Sequence, residues 1–247
     1  MQMILTDEQK RLYEDEGFII FEDLFNEAET DELREHVDVL DRESEEALRN
    51  IGQSGISVAH QINFTAHLTQ RDKYIEKFAA QPKMAEILTQ LLGPDVRLYW
   101  DQSVYKRQEA NRDFPWHQDN GYGPIEPKHY VTCWLALEDA TIENGCVWVM
   151  PRTHKQGVVE HRRTPIGLQC YFGEDPGFPV ELRKGSMVAF HSLLFHRSTP
   201  NLSNTVRKGY IMQYSVDGAY NPNTSDVYNN GALVAKDGQP HYVPWQG

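Results

Sequence analysis

The stretch VRLYWDQSVYK, residues 96–106, opens a part of the chain in which β-branched and aromatic residues dominate short runs. Similar runs follow, separated by clusters of Gly, Pro, Asn and Asp, at residues 130–137, 146–150, 186–191 and 208–216. Short strands at this spacing, with no helix between them, are typical of an antiparallel sandwich or jelly roll. The sequence therefore predicts a mainly β fold from residue 96 onward.

The N-terminal part carries helix signals instead. Thr6 and Gln9 form a capping-box pattern, and Gly17 stands where a left-handed C-terminal residue is expected. Residues 7–16 should therefore form a short helix, and the apolar run at residues 18–21 should form a strand.

A long amphipathic helix follows a second capping pattern at Asn26 and extends to about Asn50. Residues 51–69 lack periodicity and are interpreted as a loop. Residues 84–92 predict another helix, which Gly and Pro end. Because the helices precede the strands, we expect flanking helices on one outer face of a barrel.

A chain of 247 residues fits one large domain. We therefore expect a single domain over residues 1–247, with a helical part at about 1–93 and a jelly-roll core at about 94–216. The tail at residues 217–247 has few periodic apolar positions and is interpreted as a lid or a surface wrap.

The charge balance argues against two classes of partner. The chain has 24 Lys and Arg against 36 Asp and Glu, a formal net charge of -12. Such a surface repels phosphate backbones and anionic lipid headgroups, so neither nucleic acid nor membrane is expected as a partner. No stretch approaches the roughly 20 apolar residues of a membrane span, and the N-terminus has no signal-peptide pattern, which predicts a cytoplasmic protein.

Cys133, Cys146 and Cys170 are odd in number and widely spaced. This pattern suits neither a disulfide framework nor a zinc knuckle, and we expect buried, reduced thiols.

The segment FPWHQDNG, residues 114–121, contains His117 and Asp119 two residues apart. In extended chain, side chains at i and i+2 point to the same side, so both can enter one cavity. His196 follows apolar runs 77 positions after Asp119. Two histidines and one carboxylate form the facial triad of non-haem iron(II) oxygenases, which leaves three metal positions open. His117, Asp119 and His196 are called the triad below.

Taken alone, an HxD pair is a weak signal, because most histidines are structural or solvated. Arg207, eleven residues after His196 and at the start of a predicted strand, strengthens it. Its planar guanidinium offers a bidentate clamp for the distal carboxylate of a 2-oxo diacid. The alternative is a surface arginine on an exposed hairpin.

Three stretches carry a resemblance to a known family: WHQDNGYG at residues 116–123, NGCVWVMPRTHKQG at 144–157 and HRSTPNLSNTVR at 196–207. Together with LTDEQKRLYEDEGFIIFEDLF at the start, they resemble the phytanoyl-CoA dioxygenase family of 2-oxoglutarate oxygenases. The resemblance runs through most of the chain. It implies a double-stranded β-helix, a jelly roll of the cupin-like type.

The resemblance also implies roles for individual residues. The family's iron ligands match the triad. The arginine and serine that bind the far carboxylate of 2-oxoglutarate match Arg207 and Ser198. A tryptophan of the strand after the HxD loop matches Trp134, for which a core position is an equally good interpretation.

The implied activity is a dioxygenase that uses Fe(II), 2-oxoglutarate and O2, releases succinate and CO2, and oxidises a C–H bond of a small organic substrate. Hydroxylation is the expected outcome. Halogenation is disfavoured, since halogenating relatives replace the carboxylate that Asp119 retains. The alternative is a zinc- or iron-containing barrel that binds a ligand without catalysis. We expect a monomer or small homo-oligomer.

Several other polar and aromatic residues lie in or close to these motifs in the sequence. Lys106, at a strand end, is expected to be solvated. Four histidines are expected to be structural or exposed: His129, His154, His161 and His191. Five residues are candidates for substrate contact: Gln61, Asn63, Phe64, Tyr122 and Tyr214.

Overall fold

The computed structural model describes residues 5–108 and 112–246. Its helices are α1 (Asp7–Glu16), α2 (Glu27–Arg49), α3 (Leu68–Arg71), α4 (Lys73–Ala79) and α5 (Pro82–Leu92). Its strands are β1 (Phe18–Phe21), β2 (Gln53–Ser54), β3 (Ser57–Val58), β4 (Ile62–Ala66), β5 (Val96–Lys106), β6 (Phe114–His117), β7 (Val131–Ala136), β8 (Val147–Met150), β9 (Arg162–Thr164), β10 (Gly167–Gln169), β11 (Phe178–Val180), β12 (Met187–His191), β13 (Phe195–Ser198), β14 (Arg207–Val216), β15 (Leu233–Lys236) and β16 (Gln239–Val243).

Two antiparallel sheets form the body of the described chain. The major sheet has the strand order β1-β12-β7-β14-β5-β4-β3-β2, and β15 and β16 extend it from β5. The minor sheet has the order β11-β8-β13-β6. A separate hairpin joins β9 and β10. Strands that are distant in sequence are neighbours in both sheets, as in a jelly roll. The mainly β fold with flanking helices is confirmed.

The helices pack on one face of the major sheet, as the order of the elements predicts. Leu33 and Val37 of α2 and Ile87 of α5 share one buried cluster with Leu135 of β7 and Met212 of β14. Full burial of such a side chain is worth about 1.5–3 kcal/mol. The helical layer therefore closes this face, and the other face is left for the interior of the roll.

The interior of the roll lies between the two sheets. Trp134, Val188 and Phe190 of the major sheet pack with Val147 and Val149 of the minor sheet. The cluster fills one end of the space between the sheets and supports the cavity described below.

The interpretation of residues 51–69 as a loop was wrong for β4. This strand pairs with β5 over Ile62–Ala66. Its inward positions carry Asn63 and Thr65, which are polar but buried, and Asn63 donates to the carboxylate of Asp41 over 2.9 Å. Apolar and polar residues do alternate over Ile62–Ala66, but the pattern spans only five residues inside a polar stretch, and its buried positions are the polar ones, which is why it was overlooked.

The helix predicted at residues 84–92 begins earlier, at Pro82, where proline occupies a first-turn position. The preceding helix α4 was not anticipated from its seven residues. Asp72 caps it by accepting from the backbone N–H groups of Tyr74 and Ile75.

The tail adds to the sheet and packs against Tyr99 of β5. Strand β15 pairs with the edge of β5. Upstream of it, Tyr228 packs edge-on against Tyr99, with ring centroids 4.9 Å apart, and donates to the carbonyl of Pro124. The interpretation of residues 217–247 as a lid, like the division of the chain into parts, stays a prediction.

No helix in the described ranges is long and apolar enough to cross a membrane. The three cysteines are unpaired thiols, as expected. Cys133 and Cys146 are buried, but the expectation of burial was wrong for Cys170, which is only half-buried because it lies just past the end of β10.

A group of histidines ties α1 to the sheet. The hydroxyl of Tyr13 lies 3.0 Å from Nε2 of His129, whose ring stacks on His191 with centroids 4.2 Å apart. Nδ1 of His191 accepts from the backbone N–H of Leu193, so this nitrogen carries no proton. Burial, followed by neighbouring His154, lowers the pKa of His129 to about 4. Burial and then His129 lower the pKa of His191 to about 3.

These histidines make the fold acid-sensitive. An unfolded histidine titrates near 6.5, so below that pH the unfolded chain binds protons that the folded chain does not. The stability that the neutral histidines contribute is fully present above pH 6.5. It is lost as the pH falls toward the folded-state pKa values of about 4 for His129 and about 3 for His191. We expect the free energy of unfolding to drop by about 1–2 kcal/mol per histidine between pH 7 and pH 5.

Chemical denaturation at several pH values measures this drop, with His129→Gln as the comparison. Glutamine does not titrate and still offers an acceptor to Tyr13. The variant should therefore lose one histidine's share of the pH dependence. An identical pH dependence in both proteins would refute the assignment.

Candidate metal centre and active site

The two histidines of the triad lie side by side on the minor sheet. His117 ends β6, His196 is the second residue of β13, and the two are direct partners in the antiparallel register. Their rings lie 4.0 Å apart between centroids, and both residues are buried. Pairing of the two strands therefore brings together imidazoles that are 79 positions apart.

Asp119 joins them from a turn. The expectation of continuous extended chain was partly wrong, since Gln118 is extended but Asp119 begins the 3-10 helix Asp119–Gly121. Because Gln118 between them is extended, the carboxylate of Asp119 still points to the same side as the ring of His117. Its Oδ1 lies 3.8 Å from Nε2 of His117 and 3.4 Å from Nε2 of His196.

Backbone carbonyls fix the tautomer of both histidines. Nδ1 of His117 lies 2.9 Å from the carbonyl oxygen of Pro115, and Nδ1 of His196 lies 3.0 Å from that of Leu194. A carbonyl only accepts, so both Nδ1 atoms donate and both Nε2 atoms keep their lone pairs. Metal-binding histidines typically donate their second ring N–H to such a carbonyl, which leaves the other nitrogen free to bind the metal.

The electrostatics suit a metal as well. Burial, and then the neighbouring His196, lower the pKa of His117 to about 3. Burial by itself would raise the pKa of Asp119, but His196, His117 and the Thr132 hydroxyl outweigh it and lower the value to about 2. Neutral imidazole and ionised carboxylate are the forms that bind metals. In the described part of the chain, the triad is the group whose ligand atoms fit one ion, all within 4.8 Å of one another.

Arg207 is buried beside this centre. It begins β14 and is only 1% exposed, which excludes the alternative of a surface arginine on a hairpin. Its guanidinium lies 5.2 Å from the ring centroid of Trp134. Within the described residues, its Nε and Nη2 have no hydrogen-bond partner. Burial lowers its pKa to about 10. A buried cation with unused donors is costly unless an anion binds there.

Lys106 is also buried, contrary to the expectation of a solvated strand end. It is 1% exposed and lies opposite Arg207 in the register. Its Nζ donates to Ser198 Oγ over 2.9 Å and to the carbonyl of Thr199 over 2.5 Å. Burial, followed by the neighbouring Arg207, lowers the pKa of Lys106 well below its usual value. Since Lys106 Nζ donates to Ser198 Oγ, this oxygen accepts here, and its own hydrogen is free for another partner. Ser198 lines the same cavity as Arg207.

Trp134 has the core position that the sequence allowed, and its role at the co-substrate stays a prediction. It packs in the core between the sheets and also lines the cavity. Its ring crosses Gly209 of the neighbouring strand so closely that an added Cβ would lie 2.3 Å from the ring. A glycine inside a strand signals such a close approach, and Gly209 could have been recognised on that ground.

The cavity that joins these residues has a volume of about 350 Å³. Of the five candidates for substrate contact, Phe64 and Tyr122 line it. Gln61 lines an adjacent pocket. Asn63 and Tyr214 are buried elsewhere, where they bond Asp41 and the carbonyl of Ala79. Aromatic side chains make up much of the wall: Phe64, Tyr99, Trp100, Phe114, Tyr122, Tyr130, Trp134 and Phe190.

Thr132 and Gln213, two residues of the cavity wall, were not identified from the sequence. Both contact Asp119. Each lies an even number of positions from a recognised residue of its own strand: Thr132 is two positions from Trp134 on β7, and Gln213 is six positions from Arg207 on β14. Alternate residues of a strand share a face, so this even spacing could have indicated that both side chains point into the cavity.

In the described part of the chain, a jelly roll has two imidazoles and one carboxylate at its centre, next to a buried arginine with two unpaired guanidinium nitrogens, and these features define the class of 2-oxoglutarate-dependent non-haem iron oxygenases. Comparison with known proteins agrees. The family model described as phytanoyl-CoA dioxygenase matches residues 13–209. The chain therefore belongs to the phytanoyl-CoA dioxygenase family, which confirms the resemblance found in the sequence, and it is a 2-oxoglutarate-dependent dioxygenase.

Individual relatives are distant. Peroxisomal phytanoyl-CoA dioxygenase of Homo sapiens is 25% identical over 232 residues, which cover 86% of this chain and 69% of the human protein. The epimerase SnoN, solved with Fe3+, alpha ketoglutarate and nogalamycin RO, is 19% identical, with a TM-score of 0.69 over 95% of this chain and 94% of SnoN. EvdO2 of Micromonospora carbonacea var. aurantiaca, solved with 2-oxoglutarate, is 18% identical, with a TM-score of 0.69 over 92% and 96%. The two solved structures show the shared fold.

Proposed function

We propose that the protein hydroxylates a C–H bond of a small organic substrate, with the triad holding Fe(II) and with Arg207 and Ser198 holding 2-oxoglutarate. The overall reaction converts substrate, 2-oxoglutarate and O2 into hydroxylated product, succinate and CO2. When bound, the iron supplies the oxidising chemistry that no side chain provides.

The observation that carries the proposal is the buried guanidinium of Arg207, whose Nε and Nη2 have no hydrogen-bond partner among the residues that the structure describes. A barrel that only bound a metal or a neutral ligand would have no use for this charge. A dicarboxylate explains it, because one carboxylate can reach the metal while the other pairs with Arg207. Together with membership of the family, this disfavours the alternative of a non-catalytic zinc or iron barrel.

The protein's own groups bind and orient the reactants. Arg207 neutralises the far carboxylate, and Ser198, held by Lys106, is free to donate a hydrogen bond to it. Trp134 packs beside the guanidinium and limits its movement. The aromatic wall keeps water from the centre, which strengthens the electrostatic contacts inside.

The wall also indicates the chemistry of the substrate. Among the described residues that line the cavity, Arg197 is the one charged side chain besides the triad and Arg207. Its guanidinium lies over the rings of Trp116 and Trp148 and 3.6 Å from Asp113. We therefore propose that the reacting part of the substrate is uncharged and largely apolar. We further propose a cytoplasmic monomer or small homo-oligomer without nucleic-acid or membrane partners.

The direct test supplies the purified protein with Fe(II), ascorbate, O2 and 2-oxoglutarate and measures succinate. Apolar candidate substrates should increase succinate formation and gain one oxygen atom each. Chloride should give no halogenated product, because Asp119 occupies the position that halide would need. Zinc-loaded protein is the control and should form no succinate. Equal 2-oxoglutarate consumption without metal would refute the proposal.

The role of Lys106 can be tested by Lys106→Met. Loss of the Lys106 amino group frees Ser198 Oγ to turn away from 2-oxoglutarate, and losing one hydrogen bond to a charged carboxylate costs about 1.5–3 kcal/mol. The midpoint of 2-oxoglutarate binding to Fe(II)-loaded protein should rise by roughly 10- to 100-fold. Ser198→Ala should weaken binding too, and the double variant should add little, because both changes remove one interaction. Full additivity would contradict the arrangement.

A further inference from the structure

The outer oxygen of Asp119 is held by two donors from the major sheet. The hydroxyl of Thr132 donates to Oδ2 over 2.6 Å, and Nε2 of Gln213 donates to the same atom over 3.0 Å. Nε2 of Gln213 also lies 3.3 Å from Thr132 Oγ1. Thr132 on β7 and Gln213 on β14 are direct partners in the register. The three side chains therefore form a closed triangle of hydrogen bonds.

Thr132 and Gln213 are the donors in this triangle, and the carboxylate of Asp119 only accepts. The single hydrogen of the Thr132 hydroxyl goes to the carboxylate, so its oxygen must accept from Gln213. The amide nitrogen of Gln213 therefore donates to the same side, toward both Thr132 Oγ1 and Asp119 Oδ2. A carboxylate only accepts, so the nitrogen of the amide, and not its oxygen, faces Asp119. The orientation of all three groups is thereby determined.

This arrangement separates the two oxygens of Asp119. Oδ2 faces the major sheet, while Oδ1 is the oxygen that lies within 3.8 Å of both histidine Nε2 atoms. A carboxylate can bind a metal through one oxygen or through both. Binding through both would occupy one of the three positions that the facial triad otherwise leaves open.

We propose that Thr132 and Gln213 are positioning residues that restrict Asp119 to a single ligand oxygen. The proposal rests on the proposed function, since it assumes that the triad binds iron. The two residues keep Oδ2 engaged with the sheet, and three adjacent metal positions stay available for the 2-oxo acid and O2. They also hold Oδ1 in place before the metal arrives, which lowers the entropic cost of binding.

Two substitutions remove the donors separately. Thr132→Val keeps the shape of the side chain without its hydroxyl, and Gln213→Met keeps its length without the amide. Loss of such an outer partner typically costs about 10- to 100-fold in metal affinity. We expect both variants to bind Fe(II) at least about 10-fold more weakly in anaerobic titration, and to form a weaker charge-transfer band with 2-oxoglutarate. Thr132→Ser, which keeps a hydroxyl, should restore both properties.

Ser215→Ala is the matched control. Ser215 is buried on the same strand as Gln213, and in the described structure its hydroxyl has no partner. Its loss should leave the iron titration unchanged. Thermal unfolding of the metal-free proteins shows which variants fold, and each of the two donor variants tests the proposal independently.

The outcomes separate this proposal from the proposed function. If the unsubstituted protein binds no Fe(II) and forms no charge-transfer band with 2-oxoglutarate, the proposed function fails. If it does both, and folded Thr132→Val or Gln213→Met retains its iron affinity and band, the positioning role is overturned. Weaker iron binding in the donor variants, with rescue by Thr132→Ser, supports the role.

Discussion

Asp119→Asn should abolish turnover and weaken Fe(II) binding by more than about 100-fold, a greater loss than outer partners cause. A neutral amide neither balances the charge of the metal nor binds it as a carboxylate does. The surroundings increase the loss. Thr132 and Gln213 both donate to this side chain, so the substituted amide turns its oxygen toward them. Its nitrogen, which has no lone pair for a metal, then faces the histidines.

Anaerobic metal titration and succinate formation measure the two effects. Asp226→Asn is the control, because Asp226 is an exposed carboxylate that lies outside the cavity. It removes the same charge and should behave like the unsubstituted protein. If Asp119→Asn, prepared free of metal and reconstituted with Fe(II), were fully active, the triad would be ruled out.

The sequence predicted the strands of the roll well because their patterns are local. Strand β5 has the predicted bounds, 96–106, and β7 differs from its prediction by one residue at each end. The capping boxes of α1 and α2 are present as predicted. Strand β4 was missed because the residues on its buried side, Asn63 and Thr65, are polar and satisfy hydrogen bonds instead of filling a core.

The candidate site was predictable only where motif spacing carried it. His117 and Asp119 are two positions apart, and Arg207 lies eleven after His196. Thr132 and Gln213 were missed from the sequence, and Lys106 was wrongly expected to be solvated. The contacts of all three residues depend on the register between neighbouring strands. Thr132 and Gln213 are 81 positions apart. No local pattern specifies which residue faces which across two strands, although a polar residue at an inward position is a signal once the parity of the strand is known.

Arg207→Ala should weaken the binding of 2-oxoglutarate strongly while leaving Fe(II) bound. Removing one partner of a buried, bidentate charge pair costs about 2–5 kcal/mol, because the carboxylate is left without a compensating charge. At about 1.4 kcal/mol per tenfold change, the apparent affinity should fall by roughly 30-fold to several thousand-fold. Arg207→Lys should lose less, since it keeps the charge and gives up the fork geometry.

The measurement is an anaerobic titration of Fe(II)-loaded protein with 2-oxoglutarate, followed by the metal-to-ligand charge-transfer absorption of the chelate. Arg197→Ala is the matched control. Arg197 also borders the cavity, but its guanidinium is engaged with Asp113 and two tryptophan rings, so its loss should not change the midpoint. The iron titration should be the same in all these variants, because neither arginine is a ligand. A midpoint for Arg207→Ala equal to that of the unsubstituted protein would remove Arg207 from the co-substrate site. The buried guanidinium would then need another anion to account for its position, because a fully buried charge without a partner is not stable in a folded protein.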